Sequence, residues 1–173
     1  MPQKYILSVM GADRPGLVDL LADAIARHPG NWLDARLMRL EGTFAGLVLV
    51  ALPDDERVGL ERALRTLARE GLEVTLAVPG EAPPDRAGRR WVLDIVGPDR
   101  PGIVREVAGA LARAGLNVLE LESQVRPAPM SSESLFEAHV IVAAPDTADR
   151  RSLQATLDGI AEAMTLDIQF VDD

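Results

Sequence analysis

Cysteine is missing from all 173 residues of this chain, so disulfides, thiol nucleophiles and cysteine metal sites are excluded. Aromatic residues amount to only 3%. Any core must therefore be aliphatic, and an apolar content of 47% supplies the material for one. No apolar run approaches the roughly 20 residues a membrane span needs. The opening Met1-Pro2-Gln3-Lys4 is not followed by the apolar stretch of a signal peptide. A soluble cytoplasmic protein with no membrane partner is the expectation. Histidine is scarce as well, with His28 and His139 alone. Serines at 8, 123, 131, 132, 134 and 152 have almost nothing to draw on for a nucleophile–base pair. No catalytic residue, metal or cofactor is expected. Basic charge is also in deficit. The net charge is −9 and the pI about 4.7, the wrong balance for a protein that binds phosphate backbones by releasing counterions. The one dense basic stretch, Arg86-Ala87-Gly88-Arg89-Arg90, falls where a linker is expected, so direct nucleic-acid binding is not anticipated.

What is present is a repeat. Gly11-Ala12-Asp13-Arg14-Pro15-Gly16 returns as Gly97-Pro98-Asp99-Arg100-Pro101-Gly102, 86 residues later. An offset near half the length marks a duplicated unit. In the first copy, strand-forming residues 5–10 precede the motif. Leu17, Val18, Leu21 and Ile25 follow it at helical spacing, until Pro29-Gly30. Two strands, 31–40 and 44–52, flank a tight turn at Glu41-Gly42-Thr43, and a second helix (58–70) and a fourth strand (72–78) complete the unit. The second copy repeats this order. Its offset rises from 86 to 92 between Asn117 and Phe136, which puts six extra residues in the hairpin loop 126–134. The expected domains are 1–79 and 90–173, joined by a proline-bearing linker over 80–89.

A β-α-β-β-α-β chain with right-handed crossovers makes a four-stranded antiparallel sheet with both helices on one face. The fold class is α+β, two ferredoxin-like domains. Strand parity takes Leu7, Val9, Leu33, Leu37, Val48 and Val50 as helix-facing in the first copy. Ile6, Met10, Met38, Leu47 and Leu49 are left on the open face, which is too apolar for water. The equivalent face of the second copy carries Asp94, Glu120, Glu122, Glu137 and His139. Burial of the first open face, by the other copy or in a homo-oligomer, is expected.

The repeated motif sits where strand becomes helix. Pro15 and Pro101 suit a first helical turn, and Asp13 and Asp99 are able to cap its amides. Gly16 and Gly102 remove a side chain where backbone must approach something. Gly11 and Gly97 let the strand end sharply. One reading is a capped helix start used twice. The other uses the same geometry as a site. Free amides and a partial positive charge favour a carboxylate, and an aspartate beside them accepts from an ammonium group, which together describe a free amino acid. Asn31 and Asn117 open the next strand and are expected beside the loop, either as ligand contacts or as turn residues. Arg14 and Arg100 either hold a carboxylate or face solvent.

The βαββαβ order, the Asp-Arg-Pro-Gly loop and the Asn at the second strand together resemble ACT domains, small-molecule-sensing modules of amino-acid metabolism. The stand-alone tandem is similar to the glycine cleavage system transcriptional repressor family. The resemblance implies a non-enzymatic regulator that senses a small amino acid, glycine among the candidates, and modulates a protein partner such as a transcription factor. It also implies a site at a domain interface, built from Gly11, Asp13, Arg14, Pro15, Gly16 and Asn31, and from Gly97, Asp99, Arg100, Pro101, Gly102 and Asn117. The alternatives are a ligand-free protein-interaction module, or an acylphosphatase-like enzyme using Arg14 with Asn31 or Arg100 with Asn117.

Overall fold

The computed structural model describes residues 2–80, 89–128 and 133–171. The chain divides into two compact units, Met1–Ala82 and Pro83–Asp173. The first contains β1 (Gln3–Ala12), α1 (Leu17–Ala26), β2 (Asn31–Leu40), β3 (Thr43–Leu52), α2 (Arg57–Leu67) and β4 (Leu72–Ala77). The second contains β5 (Arg89–Pro98), α3 (Ile103–Arg113), β6 (Asn117–Pro127), β7 (Ser134–Ala144), α4 (Arg150–Met164) and β8 (Asp167–Val171). The sheets run β2-β3-β1-β4 and β6-β7-β5-β8, with every neighbouring pair antiparallel. This is the expected α+β architecture, built twice.

Periodicity explains the layering. Leu60, Leu64 and Leu67 of α2 lie on one helical face and are buried, as are Leu17, Leu21 and Ile25 of α1. They pack on Tyr5, Leu7 and Val9 of β1 and on Val48, Val50 and Leu52 of β3, which point to one side of the pleat. The second unit repeats the plan with Ile103, Val107 and Leu111 of α3, Leu153 and Leu157 of α4, and Leu93, Val140 and Val142 of the sheet. Burying one such side chain contributes about 1.5–3 kcal/mol relative to leaving it in water.

Leu33 departs from the expected parity. The β2–β3 register slips between Trp32 and Asp34, so Leu33 is the extra residue of a β-bulge and is 41% exposed. Trp32 and Ala35 pack on the core instead. A bulge adds one residue against a period of two, and every assignment on its far side shifts. The same slip recurs between Val118 and Glu120, with Leu119 exposed.

Two further expectations change. Arg89, the last residue of the expected linker, begins β5 together with Arg90, and Arg86 lies outside the described residues. In the second hairpin, Arg126 and Pro127 end β6 and Ser134 begins β7. The loop is correspondingly shorter than 126–134, and its base is closed by the Ala128 amide donating to the Glu133 carbonyl at 2.9 Å.

Candidate functional site

The loop of the first unit leaves β1 at Ala12 and enters α1 at Leu17. Gly16 is the residue that turns it. Its φ of 91° and ψ of 0° are left-handed, and Gly102 matches it at 99° and −5°. A Cβ at either glycine meets nothing within 4 Å. Their demand is therefore conformational, and the expected close approach is absent there. That approach is found at Gly11 and Gly97. A Cβ on Gly11 would sit 2.3 Å from the Gly71 carbonyl oxygen, and one on Gly97 would sit 2.8 Å from that of Thr165. The two glycines do not end their strands. They lie inside β1 and β5, where the turn before the fourth strand of each unit presses against the backbone.

The expected helix caps are also corrected. Gly16 and Gly102 are the N-cap residues, and no side chain caps either helix. Pro15 and Pro101 therefore stand one residue outside the helix, because the left-handed glycine intervenes. The Asp13 and Asp99 backbones are anchored elsewhere, donating to the Gly42 and Ser134 carbonyls at 2.8 Å each. The first amides of α1 and α3 have no intrahelical acceptor by geometry. Without a side-chain cap they remain oriented outward, with the positive end of the helix dipole behind them.

The two loops differ in their charged side chains. Arg14 donates to the Glu70 carbonyl at 2.8 Å, which ties the first loop to the turn before β4. Asp13 faces Arg39 at 3.5 Å. Arg39 was absent from the sequence-derived site. Counting back from the Glu41-Gly42 turn places it opposite Phe44, which pairs with Gly11, so the hairpin register was the signal that would have found it. At the same register the second unit has Val125, opposite Phe136 and Gly97. Among the described residues the Asp99 and Arg100 side chains have no hydrogen-bond or ion-pair partner.

Asn31 is not beside its loop. It opens β2 opposite Ala51, which lies close in register to Lys4 at the start of β1, whereas the loop follows Ala12. The separation is about 27 Å at the usual strand rise. Asn117, opposite Ala143 and in register with Arg90, stands at the same remove from the loop that follows Pro98. β1 and β2 both pair antiparallel with β3 and so run parallel to each other, and the second strand starts at the end where the first one starts. Arg14 and Asn31 are not brought together within a unit, nor are Arg100 and Asn117, which removes the acylphosphatase-like pairing there.

Other polar side chains form pairs and rows within each unit. On the open face of the second sheet, Glu122, His139, Asp94 and Gln169 form one row across all four strands. His139 Nδ1 lies 2.6 Å from Asp94 Oδ1. Arg126 holds Glu137 through both carboxylate oxygens, and Gln124 adds a bond at 3.1 Å. The hydrogen bond from Arg126 holds the Glu137 carboxyl below its ordinary pKa, and the same bond raises that of Arg126. His28 closes the far end of α1 onto Glu56 at 3.1 Å. Among the described residues no group of three or more histidine, aspartate or glutamate side chains is placed to hold a metal ion, and no helix is long and apolar enough to cross a membrane.

The crystal structure of an unknown protein from Galdieria sulphuraria is 31% identical and covers 98% of each chain, with a TM-score of 0.82. A crystal structure provisionally described as a glycine cleavage system transcriptional repressor shares the fold at 17% identity. Its TM-score is 0.68, covering 100% of this chain and 99% of that one. The glycine cleavage system transcriptional repressor of Escherichia coli K12 is 23% identical over 155 residues, 86% of this chain and 79% of that one. Residues 3–78 and residues 91–162 each match the ACT domain family. The chain belongs to that family and carries its domain twice in tandem.

Proposed function

We propose that this protein is a non-enzymatic, cytoplasmic regulator of amino-acid metabolism that binds a small amino acid at its strand–helix loops and modulates a protein partner such as a transcription factor. The observation that carries this reading is the pair of uncapped helix starts, each reached through a left-handed glycine and each beside an aspartate and an arginine. The amides of α1 or α3 receive the ligand carboxylate, and Asp13 or Asp99 receives its ammonium group. Gly11, Pro15 and Gly16, with Gly97, Pro101 and Gly102, shape the loops. The 97–102 loop is the more available of the two, because Asp99 and Arg100 are uncommitted while Arg14 is bound to Glu70. Asn31 or Asn117 joins the ligand only where a second domain brings its strand start against a loop. Similarity to the Escherichia coli repressor supports the regulatory role and makes glycine a natural first ligand to test.

Calorimetry and thermal shift with a panel of free amino acids, glycine included, test the reading. At least one should bind. A ligand at 100 times its dissociation constant should raise stability by about 2.7 kcal/mol, and Gly102→Ala should weaken it. Coupling to a partner should amount to about 1–3 kcal/mol. Silence across the panel would leave the second reading, a ligand-free interaction module. The Arg14–Glu70 and Asp13–Arg39 contacts favour that reading for the first loop.

A further inference from the structure

The open faces of the two sheets are chemically opposite at equivalent positions. On the first, Met10, Met38 and Leu47 are 54%, 57% and 50% exposed, and they adjoin the half-buried Ile6, Ala45 and Leu49. The matching register positions of the second sheet hold Val96, Gln124 and His139, flanked by Glu122, Glu137 and Asp94. Stacking two copies of the second face would take the charged row of Glu122, His139 and Asp94 out of water, whereas stacking two copies of the first buries mainly apolar side chains.

The first face also carries charge on both edges, Arg36 beside Asp34 on β2 and Glu73 on β4. Arg36 lies on β2, paired with Leu47. Its side chain is 74% exposed even though it touches Asp34. Glu73 lies on β4, the other edge strand, paired with Met10. It has no hydrogen-bond or ion-pair partner among the described residues. When two sheets stack with aligned strands about a two-fold axis parallel to them, the β2 edge of one lies over the β4 edge of the other. Arg36 of each copy then meets the Glu73 edge of its partner, twice over. Their rows differ by two residues along the strand, about 7 Å, within reach of an arginine side chain. Between these edges β3 of one copy lies over β1 of the other, so Ile6 faces Leu49, Met10 faces Ala45 and Leu47 faces Ser8.

We propose that the open face of the N-terminal sheet is a self-association surface, and that its occupant is the same face of a second copy of this chain. Four strands about 4.8 Å apart and about eight residues long give a footprint of roughly 500 Å² per copy, at the small end for a stable dimer. Charge placement at the edges therefore sets orientation. This assignment is independent of the ligand reading.

Sedimentation velocity on the full-length chain tests it. The wild type should be a concentration-dependent dimer. Met38→Glu and Leu47→Glu should each raise the dissociation constant at least tenfold, with circular dichroism unchanged because both side chains are half-exposed. Arg36→Glu and Glu73→Arg should each weaken association several-fold, and the double reversal should restore most of it. As a readout free of mutation, the methyl resonances of Met10 and Met38 should move on dilution of the wild type. A monomer at every concentration would overturn the proposal. So would a dimer indifferent to both glutamates, charge reversals that add instead of offsetting, or methionine methyls that ignore dilution.

Discussion

At the residue scale, Gly16 and Gly102 are needed for their backbone angles, not for space. Alanine at either position meets no atom but must occupy a left-handed conformation, at a cost of about 1–2 kcal/mol. Gly16→Ala and Gly102→Ala should each lower the midpoint of chemical denaturation accordingly. Gly11→Ala should be worse than both, because its methyl would collide with the Gly71 carbonyl. The Asp-Arg-Pro-Gly motif was legible as a strand–helix corner because proline, glycine and aspartate each restrict that turn. Which residue of it became the cap was not legible, since Asp13 is a competent side-chain cap on local grounds and only the left-handed dihedral of Gly16 takes the cap position from it. Asn31 was misplaced for a different reason. A residue number locates a strand start, but crossover topology decides which end of the sheet it occupies. Glu137 offers a pH readout. Its folded-state pKa is lowered by the Arg126 bond, so that bond stabilises the fold above the ordinary carboxylate range and is lost as pH falls through the lowered value. Arg126→Ala should return the Glu137 titration, followed by carboxyl NMR, towards the ordinary value.

At the element scale, strands and helices followed their periodicity, and the exceptions are instructive. The bulges at Leu33 and Leu119 break an alternation that is otherwise regular, and nothing in the composition of either strand announces them. They are visible only against the partner strand, as slips in the β2–β3 and β6–β7 registers. Helix ends show a related asymmetry between the repeats. The turn before β4 uses Gly71 at a φ of 81°, while the corresponding turn before β8 uses Thr165 at 60°. A β-branched residue is costly in that conformation. Thr165→Gly should therefore stabilise the protein by about 1 kcal/mol, read as a higher urea midpoint. The same substitution should leave the Gly97 contact intact, since that contact is made by the Thr165 backbone oxygen.

At the scale of the whole molecule, the duplication was the most legible feature, because an 86-residue echo requires no structural inference to see. It also predicts equivalence. Leu7 and Leu93 occupy matching places in the two cores and both are fully buried. Leu7→Ala and Leu93→Ala should each cost about 2–5 kcal/mol. Because the two clusters share no residue, the double variant should lose the sum to within about 0.5 kcal/mol. Equilibrium denaturation of the single and double variants checks this. The separation of Asn31 from the loop of its own unit carries a last consequence. A free amino acid is only a few ångströms long and cannot bridge roughly 27 Å of strand. A sensor that used both groups would be a property of assembled domains, and where those domains belong to two copies of the chain its dose–response curve would shift with protein concentration as well as with the metabolite.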